Sequence, residues 1–132
     1  MANFSGVAHI GLSVSDIERS IKYYCEVLNF ELYERCSIAV EGGLKHVAFV
    51  RSGNLSLELQ QLPRGAAKVD GHVDHIALAT DDIEAAMQEL LDKGVVFETP
   101  EICSKMDMFE RGTKWLIFRG PDNEHLELAQ VL

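Results

Sequence analysis

No apolar run in this sequence approaches the ~20 residues that a helix needs to cross a bilayer. The opening residues, MANFSGVAHIG, lack the basic start and long apolar stretch of a secretory signal. A basic stripe is missing too: 21 acidic residues stand against 12 lysines and arginines, a formal net charge of −9. That balance argues against nucleic acid and against anionic membrane surfaces as partners. It still allows a small anionic substrate, because a few local Lys or Arg residues are enough to hold one. Cysteine is scarce. Cys25, Cys36 and Cys103 are odd in number, widely spaced and form no C-x-x-C pair. A disulfide framework and a cysteine zinc site are thereby disfavoured, and a reducing cytoplasm is the expected location. There is no G-x-S-x-G elbow, and no Walker-type loop or G-x-G-x-x-G follows a strand.

What is present is a chain of 132 residues, 47% hydrophobic, of a size for one compact domain with a sizeable core. It repeats itself. Residues 7–18 read VAHIGLSVSDIE and residues 73–84 read VDHIALATDDIE. Val7, His9, Ile10, Leu12, Asp16, Ile17 and Glu18 recur identically 66 positions later. The two halves also end alike, SLELQQL at 56–62 and HLELAQV at 125–131, so that Glu58 matches Glu127. Repetition of this kind means two copies of one structural unit.

Each copy reads as strand, helix, then three strands. In the first, residues 7–14 suit a strand, and Ser15-Asp16-Ile17-Glu18 has the pattern of a capping box. Ile17, Ile21, Tyr24 and Leu28 form one helical face, and Asn29 is a left-handed stop. Strands follow at 30–40, 45–51 and 55–61, with turns at Gly42-Gly43 and Gly53-Asn54. In the second, Asp81-x-x-Glu84 is the expected cap. Ile83, Met87, Leu90 and Leu91 form the stripe, and Gly94 ends the helix. Strands are expected near 95–99, 113–119 and 125–131, the last two joined by a turn at Gly120-Pro121-Asp122-Asn123. Residues 100–112 read as a mobile flap or an irregular strand. The organisation is therefore a single domain over residues 1–132: module one at about 5–61, a linker at about 62–72, and module two at about 73–132.

Within this pattern four residues stand out. Each first strand carries a histidine, His9 or His75, and each last strand a glutamate between leucines, Glu58 or Glu127. Strand neighbours face opposite sides. If the leucines pack under the helices, both glutamates point to the other face, and a carboxylate in a cleft there is costly unless paired or bound to a cation. Imidazole with carboxylate suits zinc, nickel, cobalt, manganese or ferrous iron. One strand histidine or glutamate alone is ordinarily solvated; recurrence of both types at matched places makes them a set. His46, His72 and His125 have no matched partner and read as surface or supporting residues, with His125 on the same side as Glu127. Cys25 reads as packed within the first helix.

VAHIGLSVSDIERSIKYYCEVLNFEL, VDHIALATDDIEAAMQELLDKGVVF and GPDNEHLELAQ together resemble the vicinal-oxygen-chelate superfamily of glyoxalase I, bleomycin-resistance proteins and extradiol dioxygenases. The resemblance covers nearly the whole chain. It implies an α+β fold: two tandem βαβββ modules forming a cupped, mostly antiparallel sheet around a metal site. Glyoxalase I (lactoylglutathione lyase) carries His, Glu, His, Glu at the positions of His9, Glu58, His75 and Glu127. The resemblance thus implies a divalent-metal enzyme that moves a proton next to a metal-bound carbonyl, with Glu127 or Glu58 as the base and zinc or nickel as the first metals to test. Two positions depart from the glutathione-binding pattern: Ser13 stands where an arginine is expected and Leu62 where an asparagine is expected. Lys105, Arg111 and Lys114 are alternative anion-binding groups. The alternatives are a C–H epimerase of the methylmalonyl-CoA epimerase type and a drug- or metabolite-binding module without turnover. A homodimer is the expected assembly. The linker of about eleven residues, able to reach ~35 Å, permits modules to pair within one chain or to swap between two.

Overall fold

A computed structural model describes residues 7–66, 71, 73 and 75–132. His72 and much of the expected linker lie outside these residues. The chain divides into two compact units, Met1–Ala67 and Lys68–Leu132. Each is βαβββ.

In the first unit, strand β1 (Ile10–Ser13) leads into helix α1 (Ile17–Lys22), which continues through a wide π-helical turn, Tyr23–Val27. Strands β2 (Glu31–Val40), β3 (Gly43–Ser52) and β4 (Leu55–Gln61) follow, and the sheet order is β1-β4-β3-β2. β1 runs parallel to β4 and the other pairs are antiparallel. The second unit repeats the plan with β5 (Ile76–Ala79), α2 (Ile83–Asp92), β6 (Cys103–Lys105), β7 (Thr113–Arg119) and β8 (His125–Val131), in the order β5-β8-β7-β6. A parallel pair needs a crossover connection, and here the first and last strands of each unit form it. They lie side by side at one edge of each sheet.

Alternation decides which side chains go where. In the first unit Ala48, Val50, Leu57 and Leu59 are fully buried, as are Ser20 and Tyr24 of the helical segment that packs on β3 and β4. In the second unit Leu116, Phe118, Leu126 and Ile83 are fully buried. Leu57 and Leu59 flank Glu58, and Leu126 and Leu128 flank Glu127, so both glutamates lie on the helix-free face.

The helix starts differ from the sequence expectation. The cap of α1 is Asp16, whose carboxylate accepts from the Arg19 N–H, while the Ser15 hydroxyl accepts from the Arg19 guanidinium. The cap of α2 is Asp82, accepting from the Ala85 N–H at 3.0 Å, rather than Asp81. A second device tightens both ends: Gln61 Oε1 accepts from the Ile17 N–H at 2.7 Å, and Gln130 Oε1 from the Ile83 N–H at 3.0 Å. An early helical N–H has no partner within its own helix, and here a side chain from the last strand supplies one. The helix stops agree with expectation: Asn29 has φ 62° and Gly94 has φ 87°. In the α2 stripe Leu91 is 42% exposed, so the buried face is narrower than its sequence pattern.

The expected strand at 95–99 is not formed. Only Phe97 makes an isolated bridge, to Phe118, and the edge strand is instead β6, within the segment read as a flap or an irregular strand. Glu98 and Thr99 explain part of this: the Glu98 N–H donates to the Ile117 carbonyl and the Thr99 hydroxyl accepts from the Ile117 N–H. These bonds anchor the chain without a ladder.

Lys114 lies on the helix side of β7 and pairs with Glu84 at 3.0 Å. This hydrogen bond holds the Glu84 carboxyl below the usual carboxylate range. The folded chain then binds fewer protons at Glu84 than the unfolded chain does. The pair therefore stabilises above the ordinary value of 4.5, and the effect is lost as pH falls through the lowered folded value. Glu84→Gln should lower the melting temperature slightly at neutral pH, and the difference should shrink as the solution is acidified below the ordinary carboxylate range; thermal unfolding of both proteins across a pH series measures it.

Candidate functional site

The helix-free face of the second unit carries the more complete arrangement. Register places Ala77 of β5 beside Glu127 of β8, and Ile117 of β7 on its other side. His75 precedes β5 and, two residues before Ala77, shares its face. Its Nε2 lies 3.4 Å from Glu127 Oε2. The Glu127 side chain is 19% exposed and that of His75 42%. The His125 ring stands edge-on to His75, with centroids 5.5 Å apart, on the side of Glu127 that the sequence indicated.

Beyond Glu127 the same face opens into a pocket of about 310 Å³, lined by Trp115, Ala129, Val131, Lys105, Met108 and Phe109 among others. Sequence reasoning left Trp115, Met108 and Phe109 unassigned. The available signal was the adjacent apolar pair Met108-Phe109 in a segment of mixed polarity. Of the three basic residues considered for anions, Lys105 lines the pocket, Arg111 is exposed, and Lys114 is turned to the helix side and held by Glu84.

The first unit places the matched pair on the corresponding face but gives each member other contacts. Gly11 of β1 lies beside Glu58 of β4, with Phe49 of β3 across from it. Glu58 Oε1 accepts a hydrogen bond from Gln60 Nε2. The exposed His9 ring packs edge-on against Phe49, with centroids 5.4 Å apart. A side chain at Gly11 would bring its Cβ within 3.2 Å of the Gln60 amide and 3.8 Å of Glu58 Oε1, so glycine leaves room beside this carboxylate. Ser13 ends β1 and Leu62 follows β4.

Among the described residues, no three His, Cys, Asp or Glu side chains are gathered closely enough to hold a metal ion. The structure brings His75 and Glu127 together as a pair, and keeps His9 and Glu58 on one face without that contact. The pair nonetheless fits a cation: two donors on one tetrahedral ion with bonds of about 2.0–2.2 Å stand ~3.4 Å apart, the separation found here. Cys25, Cys36 and Cys103 are free thiols, and burial pushes the Cys25 thiol up, away from nucleophilic use. No helix among the described residues is long and apolar enough to cross a membrane.

Comparison with known proteins agrees with this plan. Residues 6–128 match the family model of the Glyoxalase/Bleomycin resistance protein/Dioxygenase superfamily. The uncharacterized protein YwbC of Bacillus subtilis (strain 168) is 32% identical over 127 residues, covering 94% of this chain and 96% of that one. A glyoxylase/bleomycin resistance protein/dioxygenase domain from Frankia sp. EAN1pec has the same fold with a TM-score of 0.76 at 24% identity, over 98% of this chain and 94% of that one. So does the fosfomycin resistance protein FosX of Listeria monocytogenes, solved with Mn(II) and sulfate: TM-score 0.73, 17% identity, 98% and 95% coverage.

Proposed function

Because this chain belongs to the Glyoxalase/Bleomycin resistance protein/Dioxygenase superfamily, we propose that it is a metal-dependent lyase or isomerase of the glyoxalase I type. It would move a proton next to a carbonyl. The observation that carries the reading is the approach of His75 to Glu127 at 3.4 Å on the helix-free face, at the edge of a pocket. His9, Glu58, His75 and Glu127 are the proposed ligands of one divalent ion, with zinc or nickel first and cobalt, manganese or iron as alternatives. Such an ion supplies Lewis-acid polarisation of a carbonyl oxygen.

The residues divide the remaining work. Glu127 is the proposed proton carrier, because it lines the pocket while Glu58 is tied through Oε1 to Gln60. The small Ala77 stands beside Glu127 on one side and the apolar Ile117 on the other. Ser13 and Leu62, in place of the glutathione-gripping residues, direct the search to thiols other than glutathione or to a carbonyl compound that carries no thiol. A homodimer in a reducing cytoplasm completes the proposal.

Calorimetric titration of the purified protein with zinc, nickel, cobalt and manganese is the first test. Saturable uptake of at least one is expected, and uptake of none overturns the reading. The second is methylglyoxal with a panel of small thiols, followed by detection of thioester. A second reading, capture of a metabolite without turnover, draws on the apolar lining of the pocket. Ligand binding without product from hemithioacetals or from racemisable acyl thioesters would select it.

A further inference from the structure

The pocket of the second unit is polar at its two ends and apolar between them. Glu127 pairs in register with Ile117, and Lys105 pairs with Thr113, four residues further along β7. At about 3.3 Å per residue these two positions lie ~13 Å apart along the strand. Between them stands the Trp115–Ala129 rung, an indole beside a small alanine, and both residues line the pocket. The loop before β7 lines the same pocket with Met108 and Phe109.

That loop is built tightly. Phe109 sits at φ 58°, a backbone region that an aromatic residue rarely adopts. Gly112 has φ 98°, and a Cβ there would fall 2.8 Å from the Met106 Cα. The result is a loop presenting Met108 at 44% and Phe109 at 64% exposure. Water-exposed apolar side chains lining a cavity gain when an apolar body covers them. Lys105 adds a charge at the far end, held at 2.9 Å by Asp107 of the same loop.

We infer that the substrate is an elongated organic anion: an apolar, preferably flat, body lies on Trp115 beneath Met108 and Phe109, and its negative group reaches Lys105. This deepens the proposed function and rests on it only for placing the reacting carbon at Glu127. Trp115 and Ala129, which line the pocket between its two ends, carry no charge, so the middle of the molecule carries none either. Asp107 competes with the ligand for the Lys105 ammonium and sets how strongly the anion is held.

The chain contains one tryptophan, Trp115, so its fluorescence reports occupancy of this pocket directly. The probes are 4-phenylbutyrate, its neutral counterpart 4-phenylbutyramide, and inorganic phosphate, each titrated into full-length protein with and without added zinc. The acid should bind about two- to fivefold more tightly than the amide, the size of one part-exposed charge contact. K105Q should erase that preference, and D107N should enlarge it. Replacing Met108 and Phe109 together by serine should weaken acid and amide alike. Equal binding of acid and amide, an unchanged preference in K105Q, or saturation by phosphate as tight as by the acid would overturn the inference. These readings need no turnover. Failure of metal uptake sinks the proposed function alone, and loss of acid selectivity sinks this inference alone.

Discussion

Glu127→Gln is expected to cut turnover by about 10²–10⁴-fold, the usual contribution of a positioned proton carrier. The substitution keeps side-chain volume, and Leu126 and Leu128 on either side remain buried on the helix face, so the strand should stay in register. What is lost is the negative charge 3.4 Å from His75 and the ability to accept and return a proton. Metal affinity should fall as well. Partners that only orient a ligand are worth about 10–100-fold in affinity, and removing an anionic ligand should exceed that. Glu58→Gln should weaken metal binding with a smaller loss in kcat, because the Glu58 carboxylate is already engaged by Gln60. Steady-state kinetics and calorimetric metal titration of both variants decide the matter. Full activity and full affinity in Glu127→Gln would remove this residue from the site.

Phe118→Ala should cost about 3–5 kcal/mol of folding stability, a large share of the ~5–15 kcal/mol typical of a domain. Phe118 is fully buried. It is paired in register with Leu126, itself fully buried, and its ring stands 5.7 Å from that of Phe97. Truncation leaves a void bounded by Leu126 and Phe97, both held by backbone bonds to β7, and such surroundings collapse poorly. The control lies close by: Val96 is 83% exposed, and Val96→Ala should stay within about 0.5 kcal/mol of the parent. Urea denaturation measures both, and an unchanged slope would show that compactness is preserved. A loss below about 1 kcal/mol in Phe118→Ala would place the core of the second unit elsewhere.

Much of the architecture was legible in the amino-acid order because it depends on local chemistry. The repeated V-x-H-I-x-L block and the L-E-L triplets set two βαβββ units, and strand alternation alone turns Glu58 and Glu127 away from their leucines. Asn29 and Gly94 end their helices because each takes a left-handed backbone easily. The repeat also held a correction to the helix caps. Asp16 and Asp82 are identical in the two copies, whereas Ser15 and Asp81 are not, and the aspartates are the residues that cap. Gln61 and Gln130 were identical in the same way, but their bonds to the helix starts span 44 and 47 residues and have no local pattern.

Tertiary structure alone decided the rest. It moved the edge strand from 95–99 to Cys103–Lys105, because the segment around Phe97 is anchored by single bonds to β7 rather than by a ladder. It separated three similar basic residues, giving Lys105 to the pocket and Lys114 to Glu84. It also distinguished two histidine–glutamate pairs that look equivalent in sequence. His75 meets Glu127, while Gln60 takes the Glu58 carboxylate and Phe49 the His9 ring. Periodicity determines the face a side chain takes. The neighbour it meets there is set by strand register and by residues far away along the chain, such as the pairing of Ala77 with Glu127.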